Sequence, residues 1–189
     1  MLTIQAPHDY IETPRPRIFL AGSIEMGTAA RWQDVVIDTL KDHTGTILNP
    51  RRDNWDSTWV QEAKNPKFFR QVAWELTAMD VADMILMYFD PKTKSPITLL
   101  ELGLHVTQCM IVCCPDGYWR RGNVEIVCAK HGTPCTGHLR EAMDLLECKI
   151  SELSDIWLDY NRKNGFLNIS QVEIDTKNSN WRAFTRDNG

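Results

Sequence analysis

The chain predicts an α/β fold, a flavodoxin-like (Rossmann-like) parallel five-stranded sheet with helices on both faces. Short apolar runs, Arg17-Ile-Phe-Leu-Ala21, Met84-Ile-Leu-Met-Tyr-Phe89 and Met110-Ile-Val-Cys-Cys114, read as buried strands. Stretches whose apolar residues recur at helical spacing separate them, and that alternation implies a sheet covered on both faces with right-handed crossovers. A length of 189 residues with 43% hydrophobic content supports one domain with a full core. The expected organisation is an extended leader over residues 1–16, a domain over 17–160 and a C-terminal tail over 161–189.

Each element has a local reason. The leader carries Pro7, Pro14 and Pro16. The first strand ends at Gly22-Ser23, and Thr28 to His43 then places Ala29, Trp32, Val36 and Leu40 at helical spacing. Gly45 to Asn49 reads as a second strand, followed by the loop Pro50 to Trp59, which with Trp55 and Trp59 is either a binding lid or a packed flap. Asn65-Pro66 is a helix start, with Asn as cap and Pro in the first turn, leading to Phe69, Val72, Leu76 and Met79 on one face and an end near Val81. After the strand at 84–89 come a loop, a helix bearing Glu101, the strand at 110–114, a short helix from Asn123 to His131 and a brief fifth strand at Thr133 to Cys135. Leu139, Met143, Leu146, Ile150, Leu153 and Trp157 form one stripe on a long helix, facing the sheet or a partner subunit. The tail holds a possible strand at Gln171 to Ile174.

The bulk properties exclude several classes. A net charge of −4 and scattered basic residues leave no footprint for nucleic acid or an anionic membrane. No apolar run approaches a membrane span and no signal sequence opens the chain, so a cytoplasmic location is expected. The six cysteines contain no C-x-x-C pair, and Cys109, Cys113 and Cys114 in or beside an apolar run suit small buried hydrophobes. His131 and His138 flank Cys135 without a second spaced pair, so no metal is expected, and no cofactor.

The chemistry-bearing residues gather where open α/β sheets bind ligands, beyond the carboxyl ends of the strands. Gly22-Ser-Ile-Glu-Met-Gly27 lacks the Lys-Ser/Thr of a P-loop, and no G-x-G-x-x-G occurs, so ATP and dinucleotide sites lose their support. What remains is a small-residue turn in which Gly22 lets a ligand approach the backbone and Ser23 offers a hydroxyl; a purely structural turn is the alternative. Glu101 falls on the first turns of its helix, where free N–H groups and the dipole favour an ionised carboxylate able to act as a nucleophile. The alternative is an ordinary surface glutamate. Glu75 reaches the same crevice if its helix tips that way, whereas Asp83, at the strand entry, suits a cap or turn.

Three motifs carry a family resemblance: Ile18-Phe-Leu-Ala-Gly-Ser-Ile24, Trp74-Glu75 before the Ala82-Asp83 strand entry, and Ser95 to Gly103 with its Glu-Leu-Gly. With Trp119 to Val124 further on, the chain resembles the nucleoside 2-deoxyribosyltransferase-like superfamily, which includes 2'-deoxynucleoside 5'-phosphate N-hydrolases. The resemblance implies that Glu101 attacks the anomeric carbon of a 2'-deoxynucleoside and that a second base, or water, resolves the ester. It assigns Glu75 to protonating the leaving base, with burial beside Trp74 raising its pKa. Many relatives carry Asp at that position. Ser95 matches a phosphate-contacting serine, but Glu25 stands where the phosphate-binding arginine would be and would repel a 5'-phosphate, so an unphosphorylated nucleoside is expected. Asn123 is implied to contact sugar hydroxyls across a subunit interface, and Trp74 to border the substrate. The expected partners are a deoxynucleoside, a free nucleobase and further copies of the chain in a homodimer or higher oligomer. A nucleoside-sensing module that has lost turnover is the non-enzymatic alternative, and flavin binding a fold-level analogy only.

Overall fold

The computed structural model describes residues 1–24, 29–53 and 58–164. Among these, six strands and five helices follow one another: β1 (Leu2–Gln5), β2 (Arg17–Gly22), α1 (Trp32–Thr39), β3 (Thr46–Asn49), α2 (Pro66–Val81), β4 (Met84–Tyr88), α3 (Pro96–His105), β5 (Met110–Cys113), α4 (Arg121–His131), β6 (Cys135–Thr136) and α5 (Leu139–Asn164). All strand pairs are parallel, in the order β1-β3-β2-β4-β5-β6. Without β1 this is the flavodoxin-like order, with one strand more than the expected five.

The extra strand lies inside the predicted leader. Leu2 to Gln5 pair with Thr46 to Asn49 on the outer edge of β3. The cause is tertiary: β3 would otherwise present a bare row of N–H and C=O groups, and the first residues cover it.

Period-2 alternation splits the core into two layers. Phe19, Ala21, Ile85, Met87 and Val112 face α2, α3 and α4, while Ile18, Leu20, Met84, Leu86 and Ile111 face α1 and α5. The stripe on α5 is resolved in favour of the sheet, because Met143, Leu146 and Ile150 are buried against this second layer and Leu139 and Leu153 pack beside them. Trp157, at the end of the stripe, lies under the Arg15 guanidinium, 4.6 Å from the ring centroid.

Helix α2 matches its predicted bounds. Asn65 accepts from the Lys67 N–H at 3.1 Å, Pro66 opens the helix and Ala82 turns extended to end it. Helix α1 is shorter than the predicted 28–43. The Ala30 N–H binds the Asp90 carboxylate at 2.8 Å, so the chain before Trp32 braces the loop after β4 instead of coiling. Asp83 acts as a base anchor: it takes the Arg17 N–H at 2.7 Å and pairs with Arg15. Cys113, Cys114 and Cys128 are buried, whereas Cys109 is exposed, so the small-hydrophobe reading fails for it. No described helix is long and apolar enough to cross a membrane. The predicted strand at 171–174 lies outside the described residues.

Candidate active site

The sheet's direction of winding reverses between β2 and β4, and the crevice beyond their carboxyl ends is the ligand position such sheets offer. Gly22 closes β2 with φ 139°, and a Cβ there would collide with the Tyr88 carbonyl of β4. Glycine is therefore demanded by the approach of two strands. The next N–H, of Ser23, donates to that same Tyr88 carbonyl at 2.9 Å, and Trp32 Nε1 donates to the Ser23 carbonyl at 3.1 Å.

Ser23 opens a buried cluster of hydroxyls. Its Oγ accepts from the Asp90 N–H at 2.9 Å and from Thr93 Oγ1 at 3.1 Å, and lies 2.5 Å from Ser95 Oγ. Thr93 Oγ1 and Ser95 Oγ are 2.7 Å apart. Ser95 precedes α3 in a left-handed conformation, φ 44°, and its side chain makes no cap bond. The strained backbone turns that hydroxyl toward Ser23 rather than back to its own helix. Tyr118 Oη and Trp119 Nε1 both donate to the Lys94 carbonyl, at 2.8 and 3.0 Å, fastening the start of the Trp119 to Val124 motif to this loop.

The two acids stand on α2 and α3, near enough for the charge of Glu75 to act on Glu101. Glu75 and Glu101 are half-buried, and each keeps some solvent contact. Burial pushes Glu75 up to about 7, against the opposing effect of a hydrogen bond from Gln71. Burial, and secondarily the charge of Glu75, pushes Glu101 up to about 8. This corrects the expectation of a dipole-stabilised carboxylate: α3 begins at Pro96, so Glu101 stands in the second turn, beyond the free N–H groups. Crowding decides the protonation instead. Both groups therefore hold their protons more tightly than a free carboxyl, and two like groups sharing a recess release them in separate steps.

Sequence reasoning named Gly22, Ser23, Trp74, Glu75, Ser95, Glu101 and Asn123. The structure groups Ser23 with Ser95 and Glu75 with Glu101. Trp74 is engaged elsewhere: its Nε1 donates to the His8 carbonyl at 2.8 Å and its ring meets Tyr10 edge-on at 5.5 Å, clasping the N-terminal segment. Asn123 sits exposed in the first turn of α4 and belongs to neither cluster. In the loop after β3, Trp59 packs under Arg52 and Lys67, at 5.3 and 5.8 Å, while Trp55, like Glu25, lies outside the described residues.

Three residues escaped the sequence. Gln71 stands one turn before Glu75, a spacing that was legible. Thr93 had no signal in a short polar loop. His105, one turn after Glu101, is buried 3.7 Å from the Asp80 carboxylate, and burial lowers its pKa. Among the described residues no group of three or more His, Cys, Asp or Glu side chains is placed to hold a metal.

Comparison with known families decides the kinship. The model described as nucleoside 2-deoxyribosyltransferase like matches residues 15–118. The chain belongs to that family. The match covers every element from β2 to β5, with the acid pair, the hydroxyl cluster and Gly22 inside it, while Asn123 and α5 lie beyond. The nucleoside 2-deoxyribosyltransferase-like family is enzyme-like, and membership supports a related glycosyl-transfer activity. No curated protein matches the chain.

Proposed function

We propose that the protein is a nucleoside 2-deoxyribosyltransferase that cleaves or exchanges the N-glycosidic bond of 2'-deoxynucleosides. The observation that carries this reading is the Glu75–Glu101 pair, two half-buried carboxyl groups on α2 and α3 near enough for the charge of one to act on the other, inside the stretch that matches the family. The reacting form has Glu101 ionised and the proton on Glu75, the reverse of the order in which the two release protons in the free protein. In that form a Glu101 oxygen attacks C1' of the sugar. The C1'–N bond breaks, its electron pair stays on the base, and the proton on Glu75 passes to that base as it leaves. A second base then attacks C1' of the ester, giving its N–H proton to Glu75 and restoring Glu101. Water attacking instead gives hydrolysis. No cofactor or metal enters these steps.

Incubation with deoxyadenosine, deoxyinosine or thymidine, with and without a second free base, tests the reading by chromatography. New nucleoside marks a transferase, and free base alone a hydrolase. Identical traces from wild type and Glu101→Ala would overturn the enzymatic reading and leave a nucleoside-sensing module.

A second reading, a deoxynucleotide N-hydrolase, is favoured by one observation. Three buried hydroxyls, of Ser23, Thr93 and Ser95, stand at the N-terminus of α3, whose free N–H groups suit an anion such as a 5'-phosphate. Comparing deoxynucleosides with their 5'-monophosphates separates the two.

A homodimer or larger assembly fits the surface. Ile97, Leu100 and Leu104 are exposed on one face of α3, and a Cβ on Gly103 beside them would touch nothing among the described residues. A helix-interior glycine with open space beside it suits close approach of a second copy, and sedimentation of the purified protein tests it. Unpaired cysteines among the described residues fit a reducing, cytoplasmic setting.

A further inference from the structure

We propose that Gln71 is a positioning residue which commits one oxygen of Glu75, Oε1, to accepting a hydrogen bond and so leaves Oε2 to carry the proton to the departing base. This rests on the assignment of Glu75 as the acid. Gln71 is only 3% exposed, and its side-chain bonds fix its orientation. Its Nε2 donates to the Pro50 carbonyl at 3.1 Å and to Glu75 Oε1 at 2.8 Å, while its Oε1 accepts from Arg52 Nη1 at 3.4 Å. A carbonyl can only accept and a guanidinium can only donate. Turning the amide over would set oxygen against oxygen and N–H against N–H, so the donor faces Glu75.

Both amide protons are thereby used, and the four-residue spacing stacks the amide over the carboxyl on one helix face. In a carboxylic acid the carbonyl oxygen is the better acceptor. Oε1 takes that part, and the O–H lies on Oε2. The same N–H favours the ionised form and opposes the effect of burial, so Gln71 eases proton release at the moment the base needs it. Its other two bonds run to the loop after β3, which makes that loop the support of the acid. Among the described residues, the titratable groups linked to Glu75 are Glu101 from α3, on which its charge acts, and Arg52, which reaches it through Gln71.

The test titrates Glu75 directly by carboxyl carbon NMR on glutamate-labelled protein, with Glu75→Gln identifying the signal, in wild type and Gln71→Met. Methionine keeps the length and removes the donor. The expected result is a Glu75 midpoint raised by about one pH unit, a size suited to a lost charge-assisted hydrogen bond. The alkaline limb of the kcat profile should rise with it and KM should hardly change. Should Gln71→Met fail to fold, Gln71→Glu keeps the Arg52 contact, sets an acceptor against Glu75 and is expected to shift the midpoint further the same way. A folded variant of an active enzyme whose midpoint and alkaline limb stay at the wild-type values overturns the role of Gln71 alone. Wild-type protein that leaves every deoxynucleoside and deoxynucleotide intact overturns the glycosidic reading and with it the role of Gln71 in proton delivery, wherever the midpoint falls.

Discussion

Ser23 and Ser95, 72 positions apart in the chain, hold their hydroxyl oxygens 2.5 Å from each other in the buried floor of the crevice. The contact joins the end of β2 to the start of α3, the helix that bears Glu101. Among the described residues Ser95 is the only non-glycine with positive φ, so the backbone is strained where the hydroxyl is needed.

Replacing Ser95 separates that strain from the chemistry. A left-handed conformation costs a side-chain-bearing residue roughly 1–2 kcal/mol relative to glycine. Ser95→Gly is expected to unfold at nearly the wild-type denaturant midpoint, whereas Ser95→Ala keeps the strain, loses the hydroxyl and should fall by about 1–2 kcal/mol. Both should raise KM for the substrate. Equal stability of the two variants would show that the backbone conformation is not the reason for the difference.

The acid pair predicts unequal losses. Glu101→Gln removes the proposed nucleophile and is expected to lower kcat on the order of 10^4-fold or more. Glu75→Gln removes only the proposed general acid, worth about 10^2 to 10^4 for an ordinary base. That second loss should shrink for a deoxyriboside whose leaving group departs without protonation, and steady-state kinetics on such a substrate checks it. A loss of the same size on both substrates would argue against Glu75 as the proton donor.

Stability should fall as pH rises. Both carboxyls sit above their unfolded-state values, near 7 and 8 instead of 4.5, so the native state binds more protons than the unfolded chain across that interval. Their contribution is complete below about pH 4.5 and is lost as pH climbs through the folded values. Denaturant midpoints from pH 4.5 to 9 should therefore decline for wild type, and the double variant Glu75→Gln/Glu101→Gln should show a flatter profile.

Trp74 separates support from substrate contact. Trp74→Phe keeps an aromatic ring against Tyr10 and Phe19 and loses the bond to the His8 carbonyl, a change of about 1 kcal/mol. Amide exchange in the N-terminal segment should quicken while KM stays near wild type. A several-fold change in KM with unchanged exchange would return Trp74 to the substrate.

Much of this molecule was legible because local rules and tertiary demands agree. Asn65-Pro66 starts α2 where a capping residue and a fixed φ predict it, and the apolar runs became the central strands because only residues apolar on both sides survive between two helical layers. Where they disagree, the sequence misleads. Cys109 follows the pattern of its apolar neighbours but lies outside the strand and stays exposed. Residues 2–5 carry too little pattern to declare a strand, since their pairing partner lies some forty positions on.

The sequence by itself determined the class of sheet and the kinship and put forward the two acids, because hydrophobic periodicity and short motifs are local properties of the chain. Only the tertiary structure decided their chemistry. Protonation of Glu75 and Glu101 depends on burial and on each other's charge, and the partners Gln71, Pro50 and Arg52 come from three places in the chain. Long-range packing sets the solvation of a carboxyl, and no window of sequence contains it.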